Sequence, residues 1–225
     1  MKKNIKDALI ISCDGGASSG KTTGAKIIAK KYKLKFLSSG LLYRYAGYLI
    51  LKYQPKNKLK FLAKKFEKLN YKKLNKINLH TSKISNYSAI IAKNLGVRNI
   101  LKIYQKKFIN KNKGCVLEGR DASTKILPSS DVKFFFICNL NIAAKRRFIE
   151  LKKLNSNIDV LEVKKALKLR NILDKKRKHS PLKRHKNAVV VNTGKLNKQA
   201  MVVKMSKSVE KILRTKYGNW TRIKK

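Results

Sequence analysis

The chain has 225 residues, 43% of them hydrophobic, enough for one packed α/β domain with room for a small inserted lobe. It carries 57 basic against 11 acidic residues, a net charge of +46, with the lysines spread along the whole length; that spread argues for a solvated surface and against a dedicated nucleic-acid or membrane footprint. No stretch approaches the ~18 apolar residues of a spanning helix, and Cys13, Cys115 and Cys138 sit in apolar, strand-like runs without metal-ligand spacing, as expected of reduced core residues in a cytoplasmic protein.

The N-terminus places charge before an apolar run, as a signal peptide does. The run is short, meets Asp14 at once and lacks a small-residue cleavage pattern, so it reads instead as a buried strand, "ALIISC" at 8–13. "KTTGAKIIAKKYK" from Lys21 reads as a helix, and between the two lies "DGGASSGKTT". Gly15, four intervening residues and Gly20-Lys21-Thr22 form a phosphate-loop pattern in the context it needs, strand before and helix after. Glycines at 15, 16 and 20 let the backbone curl so that successive N–H groups face an anion. Ala17, Ser18 and Ser19 are small enough to let phosphate approach, and the helix start at Lys21, Thr22 and Thr23 adds its partial positive charge. Lys21 is expected to be open to ligand and to reach the outer phosphates, with the Thr22 hydroxyl as a ligand for Mg²⁺. These residues together imply binding of a nucleoside triphosphate.

A second strand is expected at 34–39 and a helix over 40–53. Residues 54–93, rich in Lys and Asn and poorly periodic, read as an inserted lobe. A helix over 97–110 leads to strands at 114–119 and 131–139, then helices near 141–154 and 159–178. "NAVVVNT" (187–193) is the last strand, and a final helix runs to about Lys216, before a frayed tail whose Trp220 is free to dock. Short strands alternating with longer helices predict an α/β fold of three layers, a mostly parallel sheet covered on both faces.

Only ten of the 57 basic residues are arginine. Where lysine is the default cation, an arginine marks a place that needs a planar, bidentate fork. The second strand ends in "SSGLLYR" (38–44), where a phosphorylated substrate could lie opposite the loop. "LEGRD" puts Arg120 and Asp121 at the carboxyl end of a strand, where open α/β sheets bind ligands. "RNILDKKRKHSPL" spaces Arg170, Asp174 and Arg177 at i, i+4 and i+7, one face of one helix.

Taken in order, these segments resemble the cytidylate kinases among the bacterial nucleoside monophosphate kinases, over nearly the full length. "DGGASSGKTT" is similar to that family's phosphate loop, "LSSGLLYR" to its monophosphate-site strand and helix, and "VRNILKIYQ" (97–105) to its Val-Arg…Leu…Gln helix. "EGRD" is similar to its Gly-Arg-Asp turn, "RNILDKKRKHSPL" to its Arg…Asp…Arg…Pro-Leu segment and "VVVNTGKLN" to its last strand. The resemblance implies a phosphate-loop NTPase fold with a five-stranded sheet, a monophosphate-binding insert at about 54–93 and a small lid at about 141–155. The core would then comprise about 1–53, 94–140 and 156–216. It implies transfer of the ATP γ-phosphate to CMP or dCMP with Mg²⁺. The chain is expected to act as a monomer without a membrane partner, and its diffuse lysines give no reason to expect a specific nucleic-acid partner, so any RNA binding should be weak and salt-sensitive.

Carried over residue by residue, the resemblance puts Ser39, Tyr43 and Arg44 at the monophosphate, Arg120 toward the base and Asp174 at the sugar hydroxyls, with Asp121 also among the CMP-binding residues. Arg170 and Arg177 would clamp phosphates, with Arg146 or Arg147 reaching in from the lid and Lys21, Arg147 and Arg177 serving catalysis. Seven of the ten arginines (44, 98, 120, 146, 147, 170 and 177) fall at family-like positions. The chain departs from the family's pattern at several points. Its Asp-Ser-Gly is Ser38-Ser39-Gly40 here, its Pro-Ser-Gly is Gly16-Ala17-Ser18 and its Arg-Thr is His80-Thr81. A base-reading serine aligns with Ala89, beside Ser88, and a lid arginine with Ala143. Other phosphate-loop kinases (adenylate, shikimate or dephospho-coenzyme A kinase) would share the loop and sheet without needing the other segments together. A phosphate-loop nucleic-acid-binding protein would need a localised basic patch with interleaved aromatic residues.

Overall fold

The computed structural model describes residues 9–112, 114–153 and 158–217; the tail with Trp220 lies outside the described residues. Five strands, β1 (Ile10–Gly15), β2 (Lys35–Ser38), β3 (Cys115–Gly119), β4 (Val132–Ile137) and β5 (Val189–Asn192), form one sheet in the order β2-β3-β1-β4-β5. Every pairing is parallel, with Ile11 opposite Val116 on one side of β1 and opposite Val132 on the other. The chain passes from β1 to the β2–β3 side and later to the β4–β5 side, so its topological switch point lies at the carboxyl end of β1. That is where an open α/β sheet binds ligands.

Alternation along the strands assigns the two faces. Leu9, Ile11, Cys13, Val116, Phe134, Phe136 and Val191 pack under α1 (Lys21–Lys31) and α8 (Lys198–Tyr217). The opposite face, with Leu37, Cys115 and Leu117, is covered by α2 (Ser39–Tyr53), α3 (Lys58–Glu67), α4 (Ser82–Ile91) and α5 (Leu95–Asn112). A smaller cluster joins α6 (Leu140–Lys152) to α7 (Val160–Lys176) through Ala143, Ala144, Leu151, Val163 and Leu167, with Ala17 of the loop. Cys13 and Cys115 are buried in strands, whereas Cys138 lies just past β4 and is half-buried.

The stretch that reads as poorly periodic, 54–93, is mainly helical: α3, a 3₁₀ turn at Tyr71–Lys76, and α4. Side chains cap each start, Asn57 Oδ1 accepting from Lys60 N–H and Thr81 Oγ1 from Ile84 N–H. Few apolar residues point inward, but Leu62, Phe66, Leu74 and Leu79 are essentially fully buried, and lysines fill the exposed positions. The lobe shares its core with α2 and α5.

The α1 layer sits close against β4. A Cβ on Gly24 would stand 2.8 Å from the Phe136 ring and 3.3 Å from Met201 Sδ. Gly24→Ala should therefore destabilise the protein by about 1–3 kcal/mol through overpacking, against the ~1 kcal/mol that alanine gains in a helix. Urea unfolding checks this, and a more stable variant would contradict the packing described.

Candidate active site

The loop from β1 to α1 rests directly on β4. A Cβ at Gly15 would lie 2.5 Å from the Phe136 carbonyl oxygen, so only glycine permits this approach. Gly20 takes the left-handed region (φ 77°) at the N-cap of α1, and Ser18 adopts it too (φ 52°), strain of the kind found where a loop is shaped for a ligand. Two residues from distant elements hold the curl. Asn171 Oδ1 on α7 accepts from Ala17 N–H at 2.9 Å, and Thr193 Oγ1, just past β5, donates to the Ser19 carbonyl at 2.9 Å. Neither was legible as a site residue in the sequence, because an isolated Asn or Thr carries no pattern of its own.

Lys21 faces the ligand space, as the sequence suggested, but is more enclosed than expected: it is only 5% exposed. Its ammonium donates to the Gly16 carbonyl at 3.1 Å and stands 3.4 Å from Glu118 Oε1. Glu118 is itself buried at the end of β3 and accepts from Ser38 Oγ. Burial, with Arg120 and Arg170 nearby, lowers the Lys21 pKa to about 7 although Glu118 pulls the other way. Thr22 is exposed at the first turn of α1.

A cavity of about 1220 Å³ opens above the loop, more than the 300–1,000 Å³ of typical single-ligand pockets. The loop from Ala17 to Thr23 forms one wall; Arg44, Arg120, Arg146, Arg147 and Arg170 are among the residues that line the rest, with apolar Leu151, Val163 and Leu167 beside them. Arg44 comes from α2, and its Nη1 donates to His80 Nδ1 at 2.6 Å. Burial and the neighbouring Arg44 and Arg147 push the His80 pKa down to about 4, so the imidazole is neutral and accepts. Arg147 on α6 donates to the His80 carbonyl at 2.9 Å and, at 3.4 Å, to Ser85 Oγ; Arg170 on α7 reaches the Ser85 carbonyl at 3.4 Å. The α6–α7 pair and the 54–93 lobe thus already meet across the cavity. Arg146 instead binds the Thr193 carbonyl at 2.8 Å and its hydroxyl at 3.0 Å.

The remaining sequence-predicted residues form a second tier that is not part of the cavity wall. Asp174 accepts from Arg120 Nε at 2.8 Å and from Arg177 Nη1 at 3.4 Å. Burial disfavours its ionised form, but Arg120, Arg170 and Arg177 together outweigh this and hold it below the usual carboxylate value. Arg177 is the C-cap of α7 rather than a residue within it, anchored by Nε to the Ser180 carbonyl. Asp121 pairs with Arg98 and stands 3.8 Å from Arg177 Nη2, while the Arg98 guanidinium lies over the Tyr43 ring. Ser39 is buried beside Gly119. Three buried donors in these tiers, Ser39 Oγ, Arg170 Nε and Arg177 Nη2, make no hydrogen bond among the described residues. Ser88 is 1% exposed and bonds the Ser85 carbonyl, so it does not stand in for the serine aligned at Ala89; Ser85 itself lines the cavity.

Positive charge exceeds negative throughout this space. Burial and mutual repulsion lower Arg44 to about 9 and Arg170 to about 10, with Glu118 as the carboxylate opposing both. Such a site is complementary to a polyanion.

Parallel sheet, switch-point loop and arginine-lined cavity define a nucleotide-binding protein of the phosphate-loop class. Comparison with solved structures agrees with the fold: an uncharacterized protein from Eubacterium ventriosum superposes with a TM-score of 0.53 at 15% identity, covering 90% of this chain and 98% of its own. TT1252 from Thermus thermophilus gives 0.52 at 16%, covering 92% and 99%. At the sequence level, the cytidylate kinase family model matches residues 11–211. Curated cytidylate kinases are 34% identical in Bartonella tribocorum (85% of this chain, 89% of the relative) and 34% in Thermosipho melanesiensis (89% and 96%). That of Fusobacterium nucleatum is 32% identical (92% and 99%). The chain belongs to the cytidylate kinase family.

The depressed Lys21 pKa has a measurable consequence. A bound phosphate raises it, so above about pH 7 nucleotide binding takes up a proton and weakens as pH rises. Calorimetry with ATP at about pH 8 in buffers of different ionisation enthalpy should show this uptake, and Lys21→Met should abolish it. Binding without proton uptake would contradict the assignment.

Proposed function

We propose that this chain transfers the γ-phosphate of ATP to CMP or dCMP. The observation that carries the reading is the convergence of the phosphate loop with Arg44, Arg120, Arg147 and Arg170 on one cavity, in a member of this family. ATP phosphates would lie in the loop amides beside Lys21. The acceptor phosphate would lie among Arg44, Arg147 and Arg170, with Arg120 toward the base and Asp174, which fixes Arg120, toward the sugar. In this reading residues 54–93 are the monophosphate-binding insert and about 141–155 the lid, the last two lid positions lying outside the described residues. The core is the remainder, about 1–53, 94–140 and 156–216, and the protein works as a cytoplasmic monomer.

Kinases of this kind use a divalent ion, and the donors here fit Mg²⁺ carried with the nucleotide. Thr22 offers an exposed hard oxygen, and no cluster of three His, Cys, Asp or Glu side chains among the described residues could hold a resident metal. When bound, the ion would neutralise phosphate charge. The acceptor oxygen is already anionic, so little is asked of a general base. Lys21, the loop amides and Arg147 neutralise charge as the phosphoryl group moves in line, and Arg177 supports them from the tier behind through Asp174 and Asp121. The contacts from Arg147 to His80 and Ser85 join lid and lobe across the cavity, and further closure there on binding would exclude water.

A coupled assay over a panel of monophosphates tests the reading. CMP and dCMP should be the best acceptors, with UMP less strongly rejected because Ala89 offers no base-reading hydroxyl; preference for AMP or shikimate would overturn it. Arg177→Lys should raise the barrier by about 2–4 kcal/mol, since it keeps the charge and loses the fork. A kinetically silent Arg177→Lys would remove that residue from the mechanism.

A further inference from the structure

The turn that carries the acceptor-side residues is capped by a residue from another strand. Directly after Arg120 and Asp121 the chain forms a π-helical turn, Ala122–Ile126. Asp121 stands at its N-cap position yet makes no capping hydrogen bond, because its carboxylate is directed to Arg98 and Arg177. The amides it leaves free go to Asp14. Asp14 Oδ1 accepts from Ala122 N–H at 2.8 Å, and Oδ2 accepts from Ser123 N–H at 2.7 Å and from Ser123 Oγ at 2.6 Å. Asp14 is fully buried and pairs in register with Gly119, immediately before Arg120. The residue after it, Gly15, opens the phosphate loop.

We propose that Asp14 is a positioning residue that caps the Ala122–Ile126 turn in place of Asp121, freeing Asp121 for Arg98 and Arg177 and fixing the acceptor-side loop against the phosphate loop. Both loops then hang from one residue, and the donor and acceptor phosphates keep their spacing. Burial pushes the Asp14 carboxyl up to about 6, with the hydrogen bonds from Ser123 and Ala122 pulling the other way. It is therefore ionised at neutral pH, the state that can accept all three donors. The carboxylate has no access to a substrate, so its role is through the turn and not through chemistry.

The inference rests on the phosphoryl-transfer reading, and its test separates the two. Asp14→Asn keeps the shape but presents a donating amide NH₂ where Oδ1 or Oδ2 accepts. It should lower kcat/KM for CMP by about tenfold or more, the scale of a buried donor left unmatched, while the dissociation constant for ATP measured without CMP stays within twofold. Ser123→Ala loses only the hydroxyl donor and should give a smaller loss of the same kind. A merely structural role would instead weaken ATP and CMP alike or lower stability with kinetics intact, and either result overturns the proposal. Should Asp14→Asn fail to fold, Ser123→Ala decides, and unchanged CMP kinetics in it count against the proposal. If the wild-type protein prefers another monophosphate, the substrate reading fails, while the same split measured with that acceptor still judges Asp14.

Discussion

Uncompensated positive charge, held half out of water at the carboxyl end of β1, is the constraint around which this structure is arranged. Lys21, Arg44 and Arg170 are each easier to deprotonate than in solution, because burial and neighbouring cations act in the same direction. Glu118 and Asp174 offset part of this from behind. A fold tolerates such crowding only if rigid elements hold the charges apart from water and from each other, and the cost is recovered when an anion binds.

The supports are correspondingly distant in sequence. Asn171 and Thr193 hold the phosphate loop from α7 and from the end of β5, and Asp14 holds the turn beyond β3. Arg147 and Arg170 tie α6 and α7 to the 54–93 lobe through His80 and Ser85. Each link joins two elements whose relative placement sets a distance in the cavity. Preorganisation here means hydrogen bonds made before the ligand arrives, so that little reorganisation remains at transfer.

The strands, the phosphate loop and most helix limits were legible in the sequence because glycine spacing and apolar runs are local signals. Arginine proved more informative than charge: in a lysine-rich chain, Arg44, Arg120, Arg147 and Arg170 all line one cavity. The helices at 58–67 and 82–91 were not legible, since lysine covers the exposed face of the first, small polar residues fill much of the second, and only a few buried residues mark the period. The burial of Lys21 and the second-tier placement of Asp121 and Arg177 were also hidden, because both depend on partners far along the chain. The same holds for Asn171, Thr193 and the capping by Asp14.

Equilibrium unfolding of Arg170→Met, with and without nucleotides, tests the account most directly. Removing one uncompensated buried charge should make the ligand-free protein more stable by about 1 kcal/mol or more. The same change should sharply reduce the extra stability that ATP and CMP together confer on the wild type. A ligand-free variant less stable than the wild type, with its gain from nucleotides unchanged, would contradict the claim that stored positive charge organises the site.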